Sequence, residues 1–238
     1  VQHAGRDYEK GFGIFSDVGI CVENLMQNYG LKRILILDAD AHAGDGIYSI
    51  FAHDPRVLFI SIHQDPRTLY PGPGYRNPIG EGEGKGYSVN IPLLSGTSDL
   101  AYESVLDDIF VPISEEFHPQ VIIMIDGSDT HFIDRITDMG LTLKGIYMIA
   151  NKVRKVADGV CQGKVIAFAG SGYDPKGILF PRGWLASICG LTGIEIELEG
   201  PYPFPPGHRR DYAVPETKKI LEALKVKLAP YWKCFASL

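Results

Sequence analysis

No apolar run in this 238-residue chain approaches the roughly 20 residues that a membrane span needs, so no segment reads as a transmembrane helix. There is no basic block, and the net charge is −6, which argues against a sequence-independent phosphate-binding surface and against direct nucleic-acid contact. The four cysteines, Cys21, Cys161, Cys189 and Cys234, are dispersed, with neither C-x-x-C nor metal-finger spacing, and read as reduced thiols. No secretory signal is visible, so the expected setting is reducing and cytoplasmic. Internal repeats and low-complexity segments are also lacking. What is present is 45% hydrophobic residues, enough for a sizeable core in one α/β domain spanning 1–238. Val1 is not a methionine and no strand precedes VQHAGRDY, so either processing or fragmentation is expected to have removed something upstream or the chain begins inside a domain.

Hydrophobic periodicity places a helix from about Phe15 to the stop at Gly30. RILILD (33–38) is a continuous apolar run, as a parallel strand covered on both faces requires. A short helix is expected after Asp45, then strands over 57–63 and 87–93. Between those strands, residues 64–86 are rich in Gly and Pro and read as a long loop, either functional or disordered. Next come a helix over 98–117 capped by Ser98 or Asp99, a strand over 120–126, a helix over 142–159 ended by Gly159, and a strand over 164–170. Helices near 184–190 and 216–229 flank the Pro-rich PYPFPPG. Strands alternating with helices predict a three-layer α/β/α domain with a mostly parallel sheet.

In such sheets, sites form beyond the carboxyl ends of the strands. Three polar clusters fall there: DADAH after RILIL, DGSDTH after VIIMI and GSGYD after VIAFA. Asp40 and His42 are two apart, so on extended backbone they point the same way, and Asp129 can join them from a neighbouring strand end. Three ligands with open positions describe a catalytic metal site, against the blander reading of polar turns with a capping aspartate. Zinc suits such a set, and so do Fe²⁺ and Mn²⁺. His63 reads as structural, His131 as either structural or adjacent to the metal, and His53, His118 and His208 as surface residues.

The ordered segments HAGRDYEKGFGIF, LILDADAHAGDG, ISIHQ, YPGPG, GEGKGYSVNIPL, DGSDTH and GSGYD resemble the zinc-dependent histone deacetylase superfamily, with its acetoin-utilisation and acetylpolyamine amidohydrolase branches. They span 3–174, and 175–238 is compatible with the family's C-terminal helices. The resemblance implies an arginase/deacetylase-like fold, a metal-activated water and an acylated lysine or acetylated small amine as substrate. By motif, it makes Asp40, His42 and Asp129 the metal ligands, His3 the general base and Asp45 its orienting partner. Tyr173 becomes the hydroxyl that stabilises the oxyanion. Phe12 and Tyr70 would line an acyl-lysine tunnel with Gly172 in its floor. Asp38, Asp40, His42, Ser61 and Ile62 would hold a structural monovalent cation, K⁺.

The chain departs from the family pattern in places. Gln2 stands where the first histidine of a His-His pair is expected, and a neutral amide cannot carry a proton through the reaction. The family's long N-terminal portion is absent, so the fold is expected to be N-terminally truncated, with an uncovered sheet that invites a homo-oligomer. Asp126 replaces a small or apolar residue and adds charge near the metal, and Arg135 replaces a common proline. Two other readings stay open: an arginase-like ureohydrolase with two Mn²⁺ ions, and a deacetylase-like binding domain without turnover.

Overall fold

The computed structural model describes residues 2–72, 78–198, 203 and 212–236. Five strands form one sheet: β1 (Ile34–Ala39), β2 (Val57–Gln64), β3 (Ser88–Leu93), β4 (Val121–Asp126) and β5 (Val165–Ala169). Their order is β3-β2-β1-β4-β5 and every neighbouring pair is parallel. β1 is therefore central, and all six of its residues are buried. That is the physical reason for the unbroken RILIL run: a strand covered on both faces has no solvent side to mark with polar residues.

Alternate residues of the strands feed two cores. Ile34, Ile36, Val57, Phe59, Val121 and Ile123 pack with α1 (Asp17–Tyr29) and α2 (Asp45–Phe51). Leu35, Leu37, Leu58, Ile60, Ile122 and Met124 face the other way. There they meet α3 (Asp99–Val105), α4 (Val111–Phe117), α5 (Leu143–Cys161) and α7 (Val214–Leu228). A further helix, α6 (Leu179–Thr192), packs on α5. The result is the expected three-layer α/β/α arrangement. β5 lies at one end of the strand order and is only partly buried.

Several boundaries moved, each for a local reason. The Ser16 hydroxyl accepts the Gly19 N–H and opens α1, and Gly30, left-handed at φ 67°, closes it. The segment expected as one helix over 98–117 contains a wider π turn, Leu106–Phe110, between α3 and α4. Neither Ser98 nor Asp99 caps it with a side chain. The Asp99 carboxylate instead accepts the Thr142 N–H at 2.9 Å and the Thr142 hydroxyl at 2.6 Å, tying α3 to the start of α5. Gly159 does not end α5: it faces open space, and the helix runs on until Gln162 turns left-handed. α6 is longer than the expected 184–190. The loop 64–86 holds a short 3-10 turn, Gly82–Gly84. His208 and all of PYPFPPG except Pro203 lie outside the described residues.

Candidate active site

The three polar clusters converge because β1, β4 and β5 are adjacent and parallel, so their carboxyl ends open on the same rim. Asp40 and His42 follow β1, Asp129 sits in a 3-10 turn (Ser128–Thr130) after β4, and Ser171 and Tyr173 follow β5. Asp40, His42 and Asp129 each offer an atom to one point, all within 4.8 Å of one another. His42 Nδ1 is 3.0 Å from Asp40 Oδ1 and 3.0 Å from Asp129 Oδ2. The set is braced by backbone: the His42 N–H donates to Asp40 Oδ1 at 2.8 Å, and the Ala41 N–H to Asp129 Oδ1 at 3.0 Å. Gly127 is required there, since a Cβ would stand 2.5 Å from Asp40 Cα.

The electrostatics favour positive charge among these side chains. Burial opposes charge on the His42 imidazole, yet the hydrogen bonds and charges of Asp129 and Asp40 outweigh it and push its pKa up to about 10. Burial and the charge of Asp40 raise the Asp129 carboxyl. Asp40 is also penalised by burial, but its contacts with His42 hold it below the usual carboxylate range. One nitrogen with two carboxylates is a donor set that fits Zn²⁺, Fe²⁺ or Mn²⁺.

Beside this cage lies a second cluster. His3 Nδ1 meets Asp45 Oδ1 at 2.5 Å, and Lys10 Nζ donates to Asp45 Oδ2 at 2.5 Å. Despite burial, these two partners hold the Asp45 carboxyl below its ordinary range. Gly11 admits this packing: it is left-handed at φ 55°, and its Cα lies against the His3 ring. The His3 ring is 6.0 Å from His42 and 5.1 Å from Tyr70. Both clusters face a cavity of about 710 Å³ lined also by Gln2, Phe12, Leu69, Tyr70, Ile136, Ser171 and Tyr173. Phe12 is 97% exposed at its mouth, with left-handed backbone at φ 65°.

Of the residues singled out from the sequence, His3, Phe12, Asp40, His42, Tyr70 and Tyr173 line this cavity, with Asp45 and Asp129 bonded to His3 and His42 but not themselves in its lining. Gly172 does not line it; its Cα packs on Ser128, and Gly170 and Ser171 form that wall. His131 is buried, stacks on Phe132 and is pushed down to about 4 by burial, away from the cavity lining. His63 is buried on β2, 2.9 Å from the Ser61 hydroxyl. Asp126 adds less charge than expected, because burial pushes its carboxyl up to about 7 while the Ser187 hydroxyl donates to it at 2.6 Å. Asp38, fully buried, leaves Oδ2 without a hydrogen-bond partner among the described residues. Ser61 stands across from it on β2, and Ile62 is buried beside Ser61.

Three contributors were missed. Lys10 was hidden because its partner lies 35 residues away. Ser171 lay in the polar cluster GSGYD without a role of its own, yet its hydroxyl reaches both Asp40 and Asp129. Asp134 accepts the Tyr173 N–H at 2.7 Å and so positions that tyrosine; it lies just past the DGSDTH cluster.

The parallel α/β/α sheet thus carries at its carboxyl rim an Asp-His-Asp group that could hold a metal ion, with a His-Asp pair beside it. Residues 1–189 match the histone deacetylase domain, and the chain belongs to that family. It is 40% identical to a probable deacetylase of Archaeoglobus fulgidus, over 98% of this chain and 65% of that protein. It is 39% identical to the acetoin utilization protein AcuC of Staphylococcus xylosus, over 81% of this chain and 50% of the relative. Histone deacetylase 14, chloroplastic, of Arabidopsis thaliana is 36% identical over 73% of this chain and 40% of its own length. The chain thus spans roughly 40–65% of these relatives. Among solved structures, the HDA15 HD domain superposes with a TM-score of 0.81 at 25% identity, covering 99% of this chain and 61% of that one. The histone deacetylase Clr3 gives 0.80 at 29% identity, covering 95% and 36%. Among the described residues, no helix is long and apolar enough to cross a membrane.

Proposed function

We propose that this chain carries a metal-dependent amidohydrolase site that removes an acetyl group from a lysine side chain or a small amine. The observation that carries this is the facing of two clusters across one cavity: Asp40, His42 and Asp129 around a single point, and His3 hydrogen-bonded to Asp45 beside it. Asp40, His42 and Asp129 would hold Zn²⁺, Fe²⁺ or Mn²⁺. When bound, such an ion polarises the amide carbonyl and acidifies a water.

The chain's own groups account for the rest. Asp45 fixes the His3 ring through Nδ1, which leaves Nε2 to take a proton from the attacking water. Lys10 keeps Asp45 charged while it does so. Burial, with Asp129 and Asp40 nearby, raises the Tyr173 phenol above its ordinary pKa, so it stays protonated and able to donate to the developing oxyanion. Gln2 can hydrogen-bond but cannot relay a proton, so the proton for the leaving amine has to come from His3. Phe12 and Tyr70 offer apolar surface to the long stem of an acylated amine. The orphaned Asp38 Oδ2, with Ser61 opposite, supports K⁺ as a structural ion that neutralises this carboxylate.

The test is turnover of an acetyl-lysine peptide and of an acetylated polyamine by protein loaded in turn with each of the three ions, against Tyr173→Phe. Cleavage that falls about 10²-fold or more in the variant is expected. An ion bound with neither substrate cleaved would sink the proposal and leave a binding domain, the outcome Gln2 would then explain.

A further inference from the structure

We propose that Ser171 is a fourth protein ligand of the divalent ion, a neutral oxygen that raises the coordination number and favours Mn²⁺ or Fe²⁺ relative to Zn²⁺. This rests on the metal-centre reading above and extends it to a residue outside the Asp-His-Asp set.

Ser171 Oγ lies 2.8 Å from Asp40 Oδ2 and 2.8 Å from Asp129 Oδ2. A hydroxyl has one proton, so it can donate to only one of two carboxylates. The other contact then brings two oxygens together in a half-buried site, where they need a shared proton or a cation between them. A cation at the common focus removes the conflict, because all three oxygens then point their lone pairs at it. His42 Nδ1 approaches the same Asp129 Oδ2 at 3.0 Å, so one carboxylate oxygen is shared by the hydroxyl and the imidazole.

The backbone holds the hydroxyl in place. The Ser171 carbonyl accepts the Ser128 hydroxyl at 2.6 Å, on the same turn that carries Asp129. On either side, Gly170 packs against the Asp126 carbonyl and Gly172 against the Ser128 side chain. Neither neighbour has room for a Cβ, so the segment cannot slide the hydroxyl away. A third oxygen leaves the formal charge of the ligand set unchanged and makes it harder, which suits Mn²⁺ and Fe²⁺ better than Zn²⁺.

The experiment uses chelator-stripped wild type, Ser171→Ala, Ser171→Gly and Asp129→Ala, each checked by circular dichroism for an unchanged fold. Zn²⁺ and Mn²⁺ affinities are measured by competition with a chromophoric chelator, and the visible absorption of bound Co²⁺ reports coordination number. Loss of the hydroxyl is expected to weaken Mn²⁺ about tenfold. Zn²⁺ should weaken less, and the Co²⁺ bands should intensify as the coordination number falls. An unchanged Zn²⁺/Mn²⁺ ratio with an unchanged Co²⁺ spectrum overturns the proposal. Should Asp129→Ala bind the ions as tightly as wild type, the metal-centre reading itself fails; should only Asp129→Ala lose them, Ser171 alone is excluded.

Discussion

Asp45 and Asp38 are both fully buried carboxylates, seven residues apart on the same strand-to-helix passage, and they are opposites. Asp45 has His3 and Lys10 at 2.5 Å, one on each oxygen, and its carboxyl is held below the ordinary range even though burial works against that. Among the described residues Asp38 accepts only the Asp40 N–H, at 3.2 Å on Oδ1; burial and the charge of Asp40 push its pKa well up. The Asp40–His42–Asp129 cage belongs with Asp38. One half of the site thus carries its own partners in Lys10 and His3, while the other half, on the function proposed above, takes ions from solution. A buried charge left without any partner is costly.

The sharpest way to break this contrast is to remove the self-sufficient partner. Asp45→Asn should lower kcat/KM on an acetylated substrate by about 10³-fold, because His3 loses the group that fixes its tautomer, with metal content unchanged. Steady-state kinetics with metal analysis checks both halves of that statement.

A second carboxylate sharpens the other side. Asp126 keeps its proton up to about 7, against about 3.9 in an unfolded chain, so the folded state binds the extra proton between those values. Stability therefore falls as pH rises through that window and stays reduced above it. Asp126→Asn keeps an acceptor for Ser187 and removes the penalty. In chelator-stripped protein it should be more stable than wild type at pH 8, by at most about 4 kcal/mol, and equal to it near pH 4. Urea unfolding at the two pH values measures this; a variant less stable at pH 8 would contradict the assignment.

Lys10→Met should cost about tenfold in kcat/KM, since Asp45 loses one of the two partners that hold its carboxyl in place and below its ordinary range. An unchanged kcat/KM would show that Lys10 only packs. The smallest effect concerns Asp38. Exchanging KCl for choline chloride should lower the melting temperature by about 2–4 °C, as expected for loss of about 1 kcal/mol in a chain of this size. In Asp38→Asn the two salts should give the same melting temperature.

The contrast also explains what could be read in advance. β1, β2 and β4 were legible because a strand buried on both faces needs a continuous apolar run, and DADAH and DGSDT mark where each run meets the rim. Period-two spacing put Asp40 and His42 on one side of the chain, but no local rule showed that Ser171, 131 residues on, would touch Asp40. Lys10 was hidden in the same way, since an ion pair across 35 residues leaves no periodic trace. Gly159 misled because glycine is a weak stop: its cost of about 1 kcal/mol inside a helix is small beside the packing of Val153, Val156 and Ala157 on the same helix. Gly172 was placed in the cavity floor by motif, where the backbone turns it onto Ser128 and presents Ser171 instead.

The central claim is that one half of this site is completed by an ion from solution and the other is not. Counting tightly bound divalent ions after chelation and reloading with Zn²⁺ tests it directly. The account predicts one ion per chain in wild type and in Asp45→Asn, and none in Asp129→Ala. Two ions in wild type, or one ion retained in Asp129→Ala, would contradict it.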